Sequence, residues 1–135
     1  MKGASDSIQL WIKENLDSSV LSLHSTVPAS DAAKLLEDSK TCAIVVLENQ
    51  IPVGIVTNKD LMIKIIAHSY PLDTPIRRVM STPLISITPN TDIKEALELM
   101  KSRKIRKLPV IEKDEVVGMI VASEIANNVA DSETT

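Results

Sequence analysis

The stretch GIVTNKD, Gly54 to Asp60, places a hydroxyl and a carboxylate three residues apart, at Thr57 and Asp60, between two apolar runs. Two kinds of chemistry fit that spacing. In T-x-x-D ahead of an apolar run, the two side chains can satisfy free N–H groups where a helix begins. The same pair can instead hydrogen-bond a small molecule, at a helix end whose field favours anions. A second phrase, GMIVASE, runs from Gly118 to Glu124 and carries Val121 and Glu124 at the matching places, with Ser123 available as a cap. One copy keeps the polar pair and the other keeps only an acid. If both fold alike, Thr57 and Asp60 are not needed for the fold, which favours a binding role.

The basic run KSRKIRK, Lys101 to Lys107, is the other concentration of charge. A guanidinium matches phosphate geometry well, yet a solvated helix end is the simpler reading of such a run. His24, Cys42 and His68 share no metal-ligand spacing, so no metal site is expected. His24 should end a strand, His68 should end a helix, and Cys42 reads as a small buried hydrophobe. Three glycines in the chain are too few for a glycine-rich phosphate loop, and no nucleophile–base pairing stands out. The chain is not expected to be an enzyme.

The elements that must position these residues are written twice. Gly118 follows Gly54 by 64 residues (118 − 54), and at that offset Ala32 meets Ala96, Leu35 meets Leu99, Val46 meets Val110, and Glu48 meets Glu112. The first copy runs VLSL, PASDAAKLLEDS, CAIVVL, the turn ENQ, IPVGIVT and NKDLMIKIIAH. The second runs LISI, NTDIKEALELMKS, KLPVI, the turn EKDE, VVGMIV and ASEIANNV. Each reads strand, helix, strand, tight turn, strand, helix, the mark of two copies of one unit. Units this short bury little surface alone and should pack together. Asp92 heads one helix, with Glu95 in its first turn and Lys101, Arg103 and Lys104 at its end, an order that suits the helix dipole. CAIVVL and KLPVI are unbroken apolar runs, as expected of strands buried on both faces.

These readings divide the chain into an amphipathic N-terminal helix at 1–16 carrying Trp11, a first motif at 17–69, a linker at 70–81, a second motif at 82–130 and a polar tail at 131–135. The linker region is proline-rich and should hold about one helical turn. The composition is 44% hydrophobic and 24% charged, enough for a packed globule. A membrane span, a signal peptide and an internal disulfide are not expected, and a cytoplasmic location is. The net charge is −3, Phe is absent, and Trp11 and Tyr70 are the only aromatics. Base stacking, which most single-strand binders need, is therefore nearly closed.

The ordered set VMSTPLISITPNTDIKEALELM, KIRKLPVIE and GIVTNKDL, inside a double βαββα pattern, resembles the CBS domain pair, the regulatory module named after cystathionine β-synthase. The resemblance spans about Leu16 to Val129. It implies an α/β (α+β) fold of two copies packed sheet to sheet about a pseudo-twofold axis, with two clefts. In many relatives such clefts hold AMP, ADP, ATP or S-adenosylmethionine. The family's ligand phrase is Gly, apolar, any, Thr or Ser, two residues, Asp, and GIVTNKD matches it through Ile55, Thr57 and Asp60. The Asp would accept from ribose hydroxyls and the Thr would reach ribose or phosphate.

The same resemblance implies that Thr82, Pro83 and Ile85, with Ile105 and Arg106, form the adenine wall of the main cleft. Cys42 occupies a place where phosphate ligands are common and is a poor one, so Lys59 or a neighbouring chain should supply charge. The second cleft would use Arg106, Lys107, Val121, Glu124, Val20 and Thr41. Val121 cannot hydrogen-bond through its side chain and Glu124 is one methylene longer than Asp, so this cleft should be weak, empty or specialised. The expected function is a non-catalytic sensor of an adenosine-containing ligand, a homodimer with no required cofactor. A ligand-independent dimerisation or docking module is the alternative. A nucleic-acid binder through residues 101–107 with Arg77 and Arg78 is a third reading, which the net charge disfavours.

Overall fold

A computed structural model describes residues 20–39 and 43–123. The expected N-terminal helix with Trp11, the residues Thr41, Cys42 and Glu124, and the final helix EIANNVA lie outside the described residues. The chain divides into two compact units. One comprises Val20–Ile85 with Asp114–Val116, and the other comprises Ser86–Lys113 with residues 117–123.

In the first unit, strand β1 (Leu21–His24) leads through helix α1 (Ala29–Leu36) to β2 (Ala43–Glu48), then β3 (Ile51–Thr57). β2 lies in the middle of a three-stranded sheet, parallel to β1 and antiparallel to β3. A central strand covered on both faces should have no polar side, and Ala43, Ile44, Val45 and Val46 are all fully buried. Ile44, Val46 and Val56 pack with Ala29, Ala32 and Leu36 of α1 and with Ile76 and Val79 from the connecting segment. Each such aliphatic side chain contributes about 1.5–3 kcal/mol on burial. Ala32, fully buried, leaves room for the sheet beneath α1.

The hairpin between β2 and β3 turns on Asn49 and Gln50, at φ 52° and 66°. A two-residue turn with both φ values positive matches the right-handed twist of its strands. The second repeat does the same. Helix α3 (Ile93–Arg103), β4 (Lys107–Glu112) and β5 (Glu115–Val121) follow, with Lys113 and Asp114 at φ 52° and 64° in the turn. β4 and β5 coincide with β2 and β3 shifted by 64 positions (107 − 43 and 115 − 51). The internal repeat expected from the sequence is therefore reproduced in backbone geometry.

One expected strand is reduced. LISI forms no ladder, and its share of the sheet is a parallel bridge between Ile87 and Val110. Ile87 N–H donates to Pro109 O at 3.1 Å and Ile111 N–H donates to Ile87 O at 2.8 Å. The bridge stands 64 positions on from the Leu23–Val46 pair of β1 and β2. The run is bracketed by Pro83 and Pro89, and proline has no N–H with which to extend a ladder.

The helix ends are closed by different devices. Asp92 caps α3 through Lys94 N–H at 2.8 Å, as its position predicts. At the other end Lys104 is left-handed (φ 56°), and the N–H groups of Lys104 and Ile105 donate to Lys101 O and Met100 O. This pair of bonds is a Schellman ending. α1 follows Pro28, which offers no side-chain cap. Its free N–H groups find carbonyls in the connecting segment instead: Ala29 N–H donates to Thr74 O at 2.8 Å and Ser30 N–H to Leu72 O at 2.9 Å.

That segment is therefore a folded part of the first unit rather than a bare spacer. Its helical turn, expected from sequence, is a 3₁₀ helix at Ile76–Arg78. Ile76 N–H and Arg77 N–H return to Val27 O and Ser25 O, and Ile76 is fully buried.

Candidate functional site

β3 ends at Thr57, and a short helix α2 (Asn58–Leu61) starts at once, continuing in π-helical turns over Met62–Ala67. The helix begins there because Thr57, extended at φ −117°, and Asp60 complete a capping box. Asp60 N–H donates to Thr57 Oγ1 at 3.3 Å, and Thr57 N–H donates to Asp60 Oδ2 at 2.8 Å. The Thr57 hydroxyl also donates to Asp60 Oδ2, at 3.0 Å. The capping chemistry open to T-x-x-D is thus realised, and it aims the half-buried carboxylate across the end of β3.

The other carboxylate oxygen has a partner that sequence spacing does not reveal. Ser81 Oγ donates to Asp60 Oδ1 at 2.7 Å. Ser81 is placed by backbone pairing with β3: its N–H donates to Ile55 O at 2.8 Å, and Ile55 N–H donates to its carbonyl at 3.3 Å. Gly54 permits this approach. A Cβ at position 54 would lie 2.6 Å from Met80 Sδ and 3.0 Å from the Ser81 carbonyl oxygen. Hence the glycine that opens the GIVTNKD phrase makes room for the residue that closes over its aspartate.

Ile55, Thr57, Lys59 and Asp60 belong to the same compact unit as Thr82, Pro83 and Ile85. Lys59 is exposed on α2, Thr82 and Pro83 are exposed, and Ile85 is half-buried. Val20 immediately precedes β1 in this unit. Ile105, Arg106, Lys107 and Val121 belong to the other unit, with Arg106 exposed and Lys107 and Val121 at ends of β4 and β5.

The second phrase departs from its sequence reading at Ser123. Helical backbone already begins at Ala122 and includes Ser123, so Val121 occupies the cap position and Ser123 is not the cap. Val121 has no acceptor to offer there. Ala122 N–H donates instead to Arg106 O at 2.8 Å. The two repeats therefore start the same helix by different means, one with side chains and one with a backbone carbonyl.

His24 ends β1 and His68 ends the helical run, both exposed, as expected. Among the described residues no group of three or more His, Cys, Asp or Glu is arranged to hold a metal ion. No helix among them is long and apolar enough to cross a membrane. A depression of about 480 Å³ lined by Ala33, Lys34, Leu36, Glu37 and Asn58 lies on the α1 side. Among the described residues, none of the expected ligand positions lines it.

The CBS domain pattern matches residues 14–67 and again 76–131. The chain belongs to the CBS domain family. Among its relatives, the CBS domain-containing protein YhcV of Bacillus subtilis (strain 168) is 28% identical over 123 residues, covering 91% of this chain and 88% of that protein. An uncharacterized protein of Methanocaldococcus jannaschii is 33% identical over 103 residues, 73% of this chain but 55% of its own length. The chain thus spans most of one relative and about half of the other.

Solved CBS structures share the fold. The putative acetoin utilization protein AcuB from Vibrio cholerae superposes with a TM-score of 0.75 at 29% identity, covering 92% of this chain and 96% of that one. The hexameric CBS-CP12 protein from bloom-forming cyanobacteria gives 0.78 at 26%, covering 90% and 72%. CBS pairs of this kind are in general regulatory, ligand-binding modules.

Proposed function

We propose that this CBS pair is a non-catalytic sensor of an adenosine-containing ligand, AMP, ADP, ATP or S-adenosylmethionine, bound through Thr57 and Asp60. The observation that supports this reading most is the Asp60 carboxylate, oriented by the Thr57 capping box, in the compact unit that also holds Thr82, Pro83 and Ile85. Carboxylates are acceptors for two hydroxyls of a ribose. Lys59, exposed on α2, supplies positive charge for phosphate in this reading. The ligand needs no chemistry from the protein. It regulates by binding one arrangement of the module, or of its oligomer, better than another.

Thermal melting with AMP, ATP or S-adenosylmethionine, on wild type and Asp60→Ala, tests the assignment. Ligand at 100 times its dissociation constant should stabilise the wild type by about 2.7 kcal/mol, and the variant should respond far less. Equal ligand shifts in both proteins would place the site elsewhere.

A second reading has its own observation. Met62 and Ile66, one turn apart after α2, are 59% and 73% exposed. An apolar stripe of this kind suits a ligand-independent dimerisation or docking module. That reading gains if no adenosine ligand shifts the melting of either protein.

A further inference from the structure

We infer that Ser81 is an internal competitor for the ligand acceptor of Asp60, so that its hydroxyl sets the affinity and diol selectivity of the site; the inference rests on the adenosine-ligand reading above. A carboxylate offers about four acceptor positions on its two oxygens. In Asp60, Oδ2 already accepts from Thr57 N–H and from the Thr57 hydroxyl, and Oδ1 accepts from the Ser81 hydroxyl. One position remains for a ribose diol that brings two donors. A second donor must therefore replace a bond that the protein makes to itself.

The three existing bonds are not equally replaceable. Thr57 N–H is backbone and fixed by the helix start. The Thr57 hydroxyl is held from its other side by Asp60 N–H and sits on a stiff β-branched side chain. Ser81 is exposed, its main chain is tied to Ile55 independently, and its side chain turns about one bond. Its hydroxyl can leave Oδ1 without moving the backbone. It occupies the place of one ligand hydroxyl in the free protein, and a diol must displace it.

The decisive experiment titrates AMP, ATP, S-adenosylmethionine and 2′,3′-dideoxy-AMP, by calorimetry, into wild type, Ser81→Ala and Ser81→Thr. Removing a competing hydrogen bond to a charged oxygen should tighten the diol-bearing ligands about tenfold in Ser81→Ala. Ser81→Thr, which keeps a hydroxyl, should bind as wild type does. Dideoxy-AMP, which brings no diol, should bind wild type and Ser81→Ala equally. If wild type binds AMP and Ser81→Ala binds it no tighter, Ser81 is not a competitor and the inference alone falls. A gain for dideoxy-AMP as large as for AMP also overturns it. If none of the three diol-bearing ligands binds any of the proteins, the sensor reading falls together with the inference.

Discussion

Thr57 shows how one residue can serve the fold and a candidate site at once. Its oxygen receives Asp60 N–H while its own N–H and hydroxyl hold Asp60 Oδ2. Thr57→Ala removes the cap and should cost about 1 kcal/mol of stability, whereas Thr57→Ser should retain most of it. Urea denaturation of the ligand-free protein measures both. The comparison with Val121 sharpens the point. There the second repeat starts its helix with Ala122 N–H on the Arg106 carbonyl, so a Thr-Asp pair is one solution among others. The capping box therefore explains why Thr57 and Asp60 can stand together, and with Ser81 on Oδ1 one acceptor position of the carboxylate is left for a ligand.

At the scale of elements, the two hairpins carry a cost that their repeat has preserved. Asn49 and Gln50, like Lys113 and Asp114, all sit at positive φ, a region costly for side chains other than glycine and tolerated better by Asn and Asp. Gln50→Gly creates the Asn-Gly dipeptide favoured in such turns and should raise stability by about 0.5–1 kcal/mol, read as a higher melting temperature. α1 poses the opposite case. Its N-terminus has no capping side chain, and Thr74 and Leu72 carbonyls complete it. The segment after the first repeat is thereby bound to the helix that opens it.

For the whole molecule, each unit has its own buried aliphatic set, Ile44, Val46 and Val56 in one and Leu108, Val110 and Met119 in the other. Apolar surface is nevertheless left outside at Met62, Ile66 and Leu72, all in the first unit. We expect a second copy of the chain to cover the Met62–Ile66 stripe. The double substitution Met62→Glu with Ile66→Glu should then lower the mass seen by light scattering to that of the monomer, with little change in unfolding of the individual chain. An unchanged mass would move the interface elsewhere. The hexameric CBS-CP12 relative shows that pairs of this fold can build larger assemblies.

The sequence by itself determined the repeat, its offset, the order of the described elements apart from the strand expected at LISI, the cap at Asp92 and the turn positions. All of these rest on periodicity or on partners a few residues apart, where local sterics and hydrogen bonding leave few choices. It also placed Thr57 and Asp60 together at a helix start and favoured binding over capping, whereas the structure shows that the capping box is formed. Only the tertiary structure decided that Ser81 meets Asp60 across 21 residues, that Leu72 and Thr74 close α1, and that Ser123 is not a cap. Those contacts join segments whose separation obeys no local period. The Ser81–Asp60 contact exists because β3 pairs with Ser81 on its free side and because Gly54 leaves the space for that pairing.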